Sequence, residues 1–200
     1  MIESKRELDE ALTRKVEQYM DTVYKNAGWE VHRNTDAKTQ RLGKDFELDD
    51  KIVDEKFAID YRMKDLNTYS FEVWSGNNKD ERGWFVNPKS ITTHYLLLWF
   101  KSDKDINKIT SYTAALISKK KLIKYLESIG VDIDNEIYFF NSYWKKPYPS
   151  PRFHSDENKK SEDIKAGIRM VQSFNKKECP INMIIPKEIL LKVADKVLSN

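Results

Sequence analysis

Between Asp45 and Phe100 the sequence breaks into five short runs that read as strands: Asp45 to Leu48, Lys51 to Ile59, Thr68 to Ser75, Gly83 to Val86 and His94 to Phe100. A chain with this many strands in succession has to organise around a sheet. Asp49-Asp50 separates the first two runs and suits a hairpin turn. A sixth run, Tyr112 to Ile117, leads into a helix from Ser118, with Leu122, Ile123, Leu126 and Ile129 on its apolar face and Gly130 at its end. Ahead of the strands, Leu8, Leu12, Val16, Met20 and Val23 recur at spacings of three and four, which predicts a helix over residues 4 to 25. Ser4 and Glu7 suit a capping box at its start, and Gly28 is free to adopt positive φ at its end.

Trp29 to His32 reads as a short strand and Arg33 to Gly43 as a polar loop. Asn141 to Lys177 is polar, with Pro147, Pro149 and Pro151 two apart, and reads as an exposed loop. The chain is expected to close with a strand, Ile181 to Ile185, and a helix from Pro186 to Leu198. The sum is an α/β chain with a central mixed β-sheet flanked by helices. At 200 residues and 40% apolar content it is expected to form one domain. Its core would span about residues 5–140, followed by a basic loop over 141–180 and a closing strand and helix over 181–200.

Composition removes several classes. One cysteine, Cys179, and three histidines support neither an internal disulfide nor a Cys-rich zinc module, which fits a reducing cytoplasmic setting. The longest apolar run, Tyr95 to Phe100, is far shorter than the roughly 20 residues of a membrane-spanning helix. The opening residues MIESKRELDE are too polar for a signal peptide, so no membrane partner is expected. No P-loop, G-x-G-x-x-G or G-x-S-x-G motif occurs, which leaves nucleotide-driven motors, Rossmann oxidoreductases and elbow-type serine hydrolases without support.

The informative stretch is Gln40 to Lys56. Three charges, Asp54, Glu55 and Lys56, interrupt a strand whose flanks, Ile52-Val53 and Phe57-Ala58, look buried. Side chains alternate along a strand, so Asp54 and Lys56 share one face, about 6 to 7 Å apart, while Glu55 takes the other. Asp45, on the preceding arm, is placed to converge on Asp54. Two converging carboxylates repel unless a cation lies between them, and hard oxygen ligands select Mg²⁺ or Mn²⁺. A lysine beside such a cation can position or deprotonate water and stabilise charge on a pentavalent phosphorus. The bland alternative is a solvated hairpin edge whose charges discourage aggregation.

These residues resemble the PD-(D/E)xK nuclease superfamily, with Asp45 at the first acid, Asp54 at the second and Lys56 at the lysine, although the proline that names the family is missing before Asp45. The resemblance implies a restriction endonuclease-like core and a metal-dependent endonuclease that hydrolyses phosphodiester bonds of duplex or branched DNA. It implies that Asp45 and Asp54 bind Mg²⁺ or Mn²⁺, with Asp54 or Glu55 as the second ligand, and that Lys56 assists the water. It also implies a supporting role for Glu72 on the third strand, a glutamate from the opening helix such as Glu10 or Glu17, and a homodimer when both strands are cut. The rival is a catalytically inactive relative that binds DNA or another protein.

A net charge of only +3 excludes bulk polycation binding, so a local patch has to contact nucleic acid. From Asn141 to Lys177 there are nine Lys and Arg against four Asp and Glu, a local excess larger than that of the whole chain. Lys145, Lys146, Arg152, Lys159, Lys160 and Arg169, interleaved with Tyr143, Trp144, Tyr148 and Phe153, are the candidate contacts to phosphates and bases.

Overall fold

The computed structural model of the chain describes residues 5–75, 82–135, 153–156, 159–173 and 180–200. The chain is mixed α/β, with a six-stranded mixed sheet, a second five-stranded sheet and flanking helices. It divides into two compact units assembled from separated segments. The first comprises residues 1–66, 91–119 and 194–200, and the second residues 67–90 and 120–193.

In the first unit, helix α1 (Lys5–Asn26) buries Leu12, Val16, Met20 and Tyr24, four residues apart, on one stripe. It ends as expected. Gly28 has φ 75°, Gly28 N–H donates to Lys25 O at 3.0 Å and Trp29 N–H donates to Tyr24 O at 2.9 Å, the Schellman pattern that satisfies the last carbonyls. Strands β1 (Val31–Arg33), β2 (Phe46–Leu48), β3 (Lys51–Phe57), β5 (His94–Ser102), β6 (Ile109–Ser118) and β11 (Lys196–Ser199) lie side by side in that order. β3 and β5 run parallel, and the other neighbours are antiparallel. The α1 stripe packs with Phe46, Val53, Leu96, Leu98 and Leu116 into one core, which lies on the Glu55 face of the sheet.

The polar segment after β1 carries a short helix, α2 (Ala37–Gln40), capped by Asp36, whose carboxylate accepts from Lys38 N–H and Thr39 N–H.

In the second unit the order is β4 (Thr68–Trp74), β10 (Ile181–Pro186), β9 (Ile168–Ser173), β8 (Lys159–Lys165) and β7 (Phe153–Asp156), all antiparallel. Phe71, Val73, Met183, Ile185, Ile168 and Met170 are buried. Helix α3 (Lys119–Ser128) buries Leu122 and Leu126, and helix α4 (Lys187–Val193) buries Ile189, Leu190 and Val193.

Three expectations are corrected. The reading of 141–177 as a loop fails over its described part, which forms β7, β8 and β9. Lys159–Lys165 has almost no apolar residues to signal a strand, and what makes it one is pairing with the half-buried β9. The helix expected to run from Pro186 to Leu198 stops at Val193. There Asp195 takes over the backbone, its N–H donating to Leu116 O and its Oδ2 accepting from Ser118 N–H, both at 2.8 Å, which sets 196–199 as the edge strand β11. Gly83 to Val86 is not a strand but a turn beside an isolated Trp74–Arg82 bridge.

Gly83 is there for lack of room. Its N–H donates to Val73 O at 3.1 Å, and an added Cβ would sit 2.4 Å from Glu72 O. Gly83→Ala is therefore expected to destabilise the protein by about 1–3 kcal/mol, as other overpacking substitutions do, measured by denaturant unfolding. No helix among the described residues is long and apolar enough to cross a membrane.

Candidate functional site

Asp45 is delivered to the sheet by the backbone around it. Asn34 N–H donates to Asp45 O at 2.8 Å, the Asn34 side chain holds Lys44 O at 2.7 Å, and Asp45 N–H donates to Val53 O at 2.9 Å. The antiparallel register pairs Phe46 with Val53, so the next pair along the ladder sets Asp45 opposite Asp54. Asp45 Oδ2 accepts from Glu55 N–H at 2.7 Å, which draws its carboxyl across onto β3. There it lies within hydrogen-bonding reach of the Asp54 carboxyl. Lys56 Nζ pairs with Asp54 Oδ1, and its charge also acts on Asp45. Asp54 is only 3% exposed, whereas Asp45 and Lys56 are half-buried. The expected convergence of Asp45, Asp54 and Lys56 on one face is thus what the fold produces.

Burial pushes the Asp45 carboxyl up to about 7, and the Asp54 charge adds to the rise against the opposing pull of Lys56. Two adjacent hard oxygen donors suit Mg²⁺ or Mn²⁺, which is commonly held by one or two carboxylates with waters completing its shell. Among the described residues no group of three or more His, Cys, Asp or Glu is gathered, so the donor set there is the acid pair.

The raised Asp45 value has a consequence for stability. The folded form holds a proton that the unfolded chain releases near 3.8, so its contribution is fully present below about pH 3.8, declines as pH rises and is gone above about pH 7. At about 1.4 kcal/mol per unit the loss is at most about 4 kcal/mol. Without divalent cations, the unfolding free energy of wild type is expected to fall from pH 4 to pH 8 more steeply than that of Asp45→Asn. Parallel pH profiles for the two proteins would contradict this assignment.

Glu55 does not join the pair. Its side chain, 2% exposed, points to the α1 face, where Tyr24 Oη donates to Oε1 at 2.6 Å and Arg33 Nη1 to Oε2. Arg33 also donates to Asp21 Oδ1, at 2.6 Å from Nη2. Burial raises the Glu55 carboxyl's pKa, against the pull of Arg33 and Tyr24. Glu55 as a metal ligand is therefore corrected. The period-two alternation that brings Asp54 to one face sends Glu55 to the other, and only its N–H reaches Asp45.

The α1 glutamates follow the same logic. Glu17 acts on Glu55, on the core side, and Glu10 pairs with Arg14 at 3.8 Å. Glu72 lies on β4 of the second sheet, in the second unit, rather than on the next strand of the sheet that carries the acid pair.

Two residues on the Asp54 face were not assigned to the site from sequence. Tyr95 pairs in register with Asp54, and its hydroxyl is held well above its ordinary pKa, by burial first and then by the Asp54 charge. Lys119 is half-buried, its pKa lowered by burial and pulled back by Asp54. Each falls on the Asp54 face only through the β3–β5–β6 register, which local sequence pattern does not supply.

Of the expected nucleic-acid contacts, Lys145, Lys146 and Arg152 lie outside the described residues. Lys159 and Lys160 open β8, and Arg169 is exposed on β9 opposite Asp163. Compared with known proteins, the chain matches no family model, no curated protein and no solved structure.

Proposed function

We propose that the chain is a metal-dependent nuclease that hydrolyses phosphodiester bonds of DNA at the face formed by Asp45, Asp54 and Lys56. The observation that carries this reading is the convergence of Asp45 and Asp54 across the β2–β3 ladder with a lysine on the same face. It also supports the PD-(D/E)xK resemblance and a restriction endonuclease-like core.

Asp45 and Asp54 would hold Mg²⁺ or Mn²⁺, which when bound supplies a Lewis acid for a phosphate oxygen and lowers the pKa of attacking water. Asp45 is fixed for this by the Glu55 N–H, and its high proton affinity comes first from burial and then from the Asp54 charge, against the pull of Lys56. Lys56 balances Asp54 and directs an N–H toward water or the phosphate. Duplex or branched DNA is the expected substrate, and Arg169 with the basic residues around it the expected contact surface. A homodimer would bring two such sites to the two strands.

The test is cleavage of duplex, branched and single-stranded DNA by purified protein with Mg²⁺ or Mn²⁺ and with EDTA. Cleavage that EDTA abolishes is expected. Protein that binds these substrates and cuts none of them would instead be the inactive binding factor.

A further inference from the structure

The first turn of α3 carries Lys119, Lys120 and Lys121 and no acidic residue, which sets positive charge against the positive end of the helix dipole. Lys120 and Lys121 are exposed, and Lys119 is half-buried. Sheet register explains the difference. Asp54 lies opposite Tyr95 in the parallel β3–β5 pair, and Tyr95 lies opposite Ile117 in the antiparallel β5–β6 pair. Their side chains therefore stand in a row on one face.

Lys119 follows Ile117 by two residues, and its N–H donates to Thr93 O at 2.9 Å, extending the β5–β6 ladder by one step. Its side chain accordingly rises on the Asp54 face. Lys56 lies level with Leu97, and Lys119 level with Thr93, so the two lysines bracket Asp54 along the strand direction.

Lys56 is committed to Asp54. Among the described residues no ion pair engages Lys119. Burial weakens its hold on the proton while the Asp54 charge strengthens it, which places a partly desolvated ammonium within electrostatic reach of the acid pair. Such a cation attracts a phosphate more strongly than a fully hydrated one does.

Resting on the nuclease reading above, we infer that Lys119 is a further catalytic residue, its ammonium binding a nonbridging oxygen of the scissile phosphodiester and stabilising the charge that gathers there. Water oxygen bonds to phosphorus as the bond to the leaving sugar oxygen breaks. The proton lost by water ends on that leaving oxygen, and Lys119 keeps its own protons throughout.

The test uses Lys119→Met, which keeps the buried stem, with Lys119→Arg as the conservative variant and the exposed Lys108→Ala as a charge-loss control. Binding of fluorescent duplex DNA is measured in Ca²⁺ over a salt series, and single-turnover cleavage in Mg²⁺. Lys119→Met is expected to reduce the slope of log affinity against log salt by about 0.9, the value of one phosphate contact. It is also expected to slow cleavage by about 10²–10³-fold, with Lys119→Arg restoring the slope and part of the rate and Lys108→Ala matching wild type.

Wild-type cleavage with an unchanged Lys119→Met rate would overturn the inference and leave the nuclease reading standing. If wild type cuts nothing, the nuclease reading fails and the catalytic role with it. The salt slope then separates a surviving phosphate contact from none.

Discussion

Asp54→Asn is expected to reduce Mg²⁺-dependent cleavage by about 10³-fold or more, and Lys56→Ala by about 10²–10³-fold, while both proteins stay folded. The size follows from position. Asp54 is 3% exposed, touches the Asp45 carboxyl and pairs with Lys56, so one substitution removes half of the acid pair and the partner of its lysine. Asparagine keeps the shape and a polar group, so the buried site is not emptied. The Asp54 side chain is 4% exposed and that of Lys56 31%, so Asp54→Asn, which leaves a lysine that can reach water, should cost about 1–3 kcal/mol of stability, and Lys56→Ala, which leaves the carboxylate buried without its cation, about 3–5 kcal/mol. The decisive measurement is single-turnover cleavage at saturating enzyme, with thermal unfolding of each variant in parallel. A variant that cuts like wild type would remove Asp54 or Lys56 from the chemistry. A variant that unfolds at the assay temperature is replaced by Asp45→Asn, whose half-buried side chain disturbs less packing.

Arg33→Met is expected to lower the unfolding free energy by about 3–5 kcal/mol, because it leaves the Glu55 carboxylate buried with its hydroxyl partner Tyr24 but without its cation. At roughly 2–4 °C per kcal/mol for a chain of this size, the midpoint should fall by about 10 °C. Glu55→Leu in the same chain is expected to recover most of the loss, since replacing both members of a buried pair by apolar groups is often nearly neutral. Chemical denaturation of the four proteins of this double-mutant cycle measures the coupling directly. Simple additivity of the two substitutions would mean that the Arg33–Glu55 pair is not the strut the fold places there. A separate Glu55 variant bears on the site. Should Glu55→Gln keep wild-type stability yet lose metal-dependent cleavage, the second-ligand role for Glu55 would return.

The acid pair was legible in the sequence because strand alternation is local. Once Lys51–Phe57 reads as a strand, Asp54 and Lys56 must share a face and Glu55 must leave it, whatever the rest of the chain does. The α1 stripe was legible for the same reason, since a spacing of three and four is a property of neighbouring residues. The three strands of 153–173 were not, because Lys159–Lys165 presents lysines, acids and a serine with no apolar alternation, and its strand state comes from partners elsewhere in the chain. The last helix was overextended because the residues after Val193 continue an apolar pattern that could serve a helix or a strand. The backbone of Leu116 and Ser118, nearly eighty residues earlier, resolved the choice by capturing Asp195.

Sequence alone therefore determined the pieces whose physics is local: the opening helix and its glycine stop, the β2–β3 ladder, and the face on which Asp54 and Lys56 stand. Tertiary structure decided everything that depends on which strand lies beside which. It removed Glu72 to another sheet, buried Glu55 against Tyr24 and Arg33, and brought Tyr95 and Lys119 to the Asp54 face. The physical reason is that side-chain direction is set every two residues by the backbone, whereas strand neighbours are set by burial and hydrogen bonding between segments far apart in the chain.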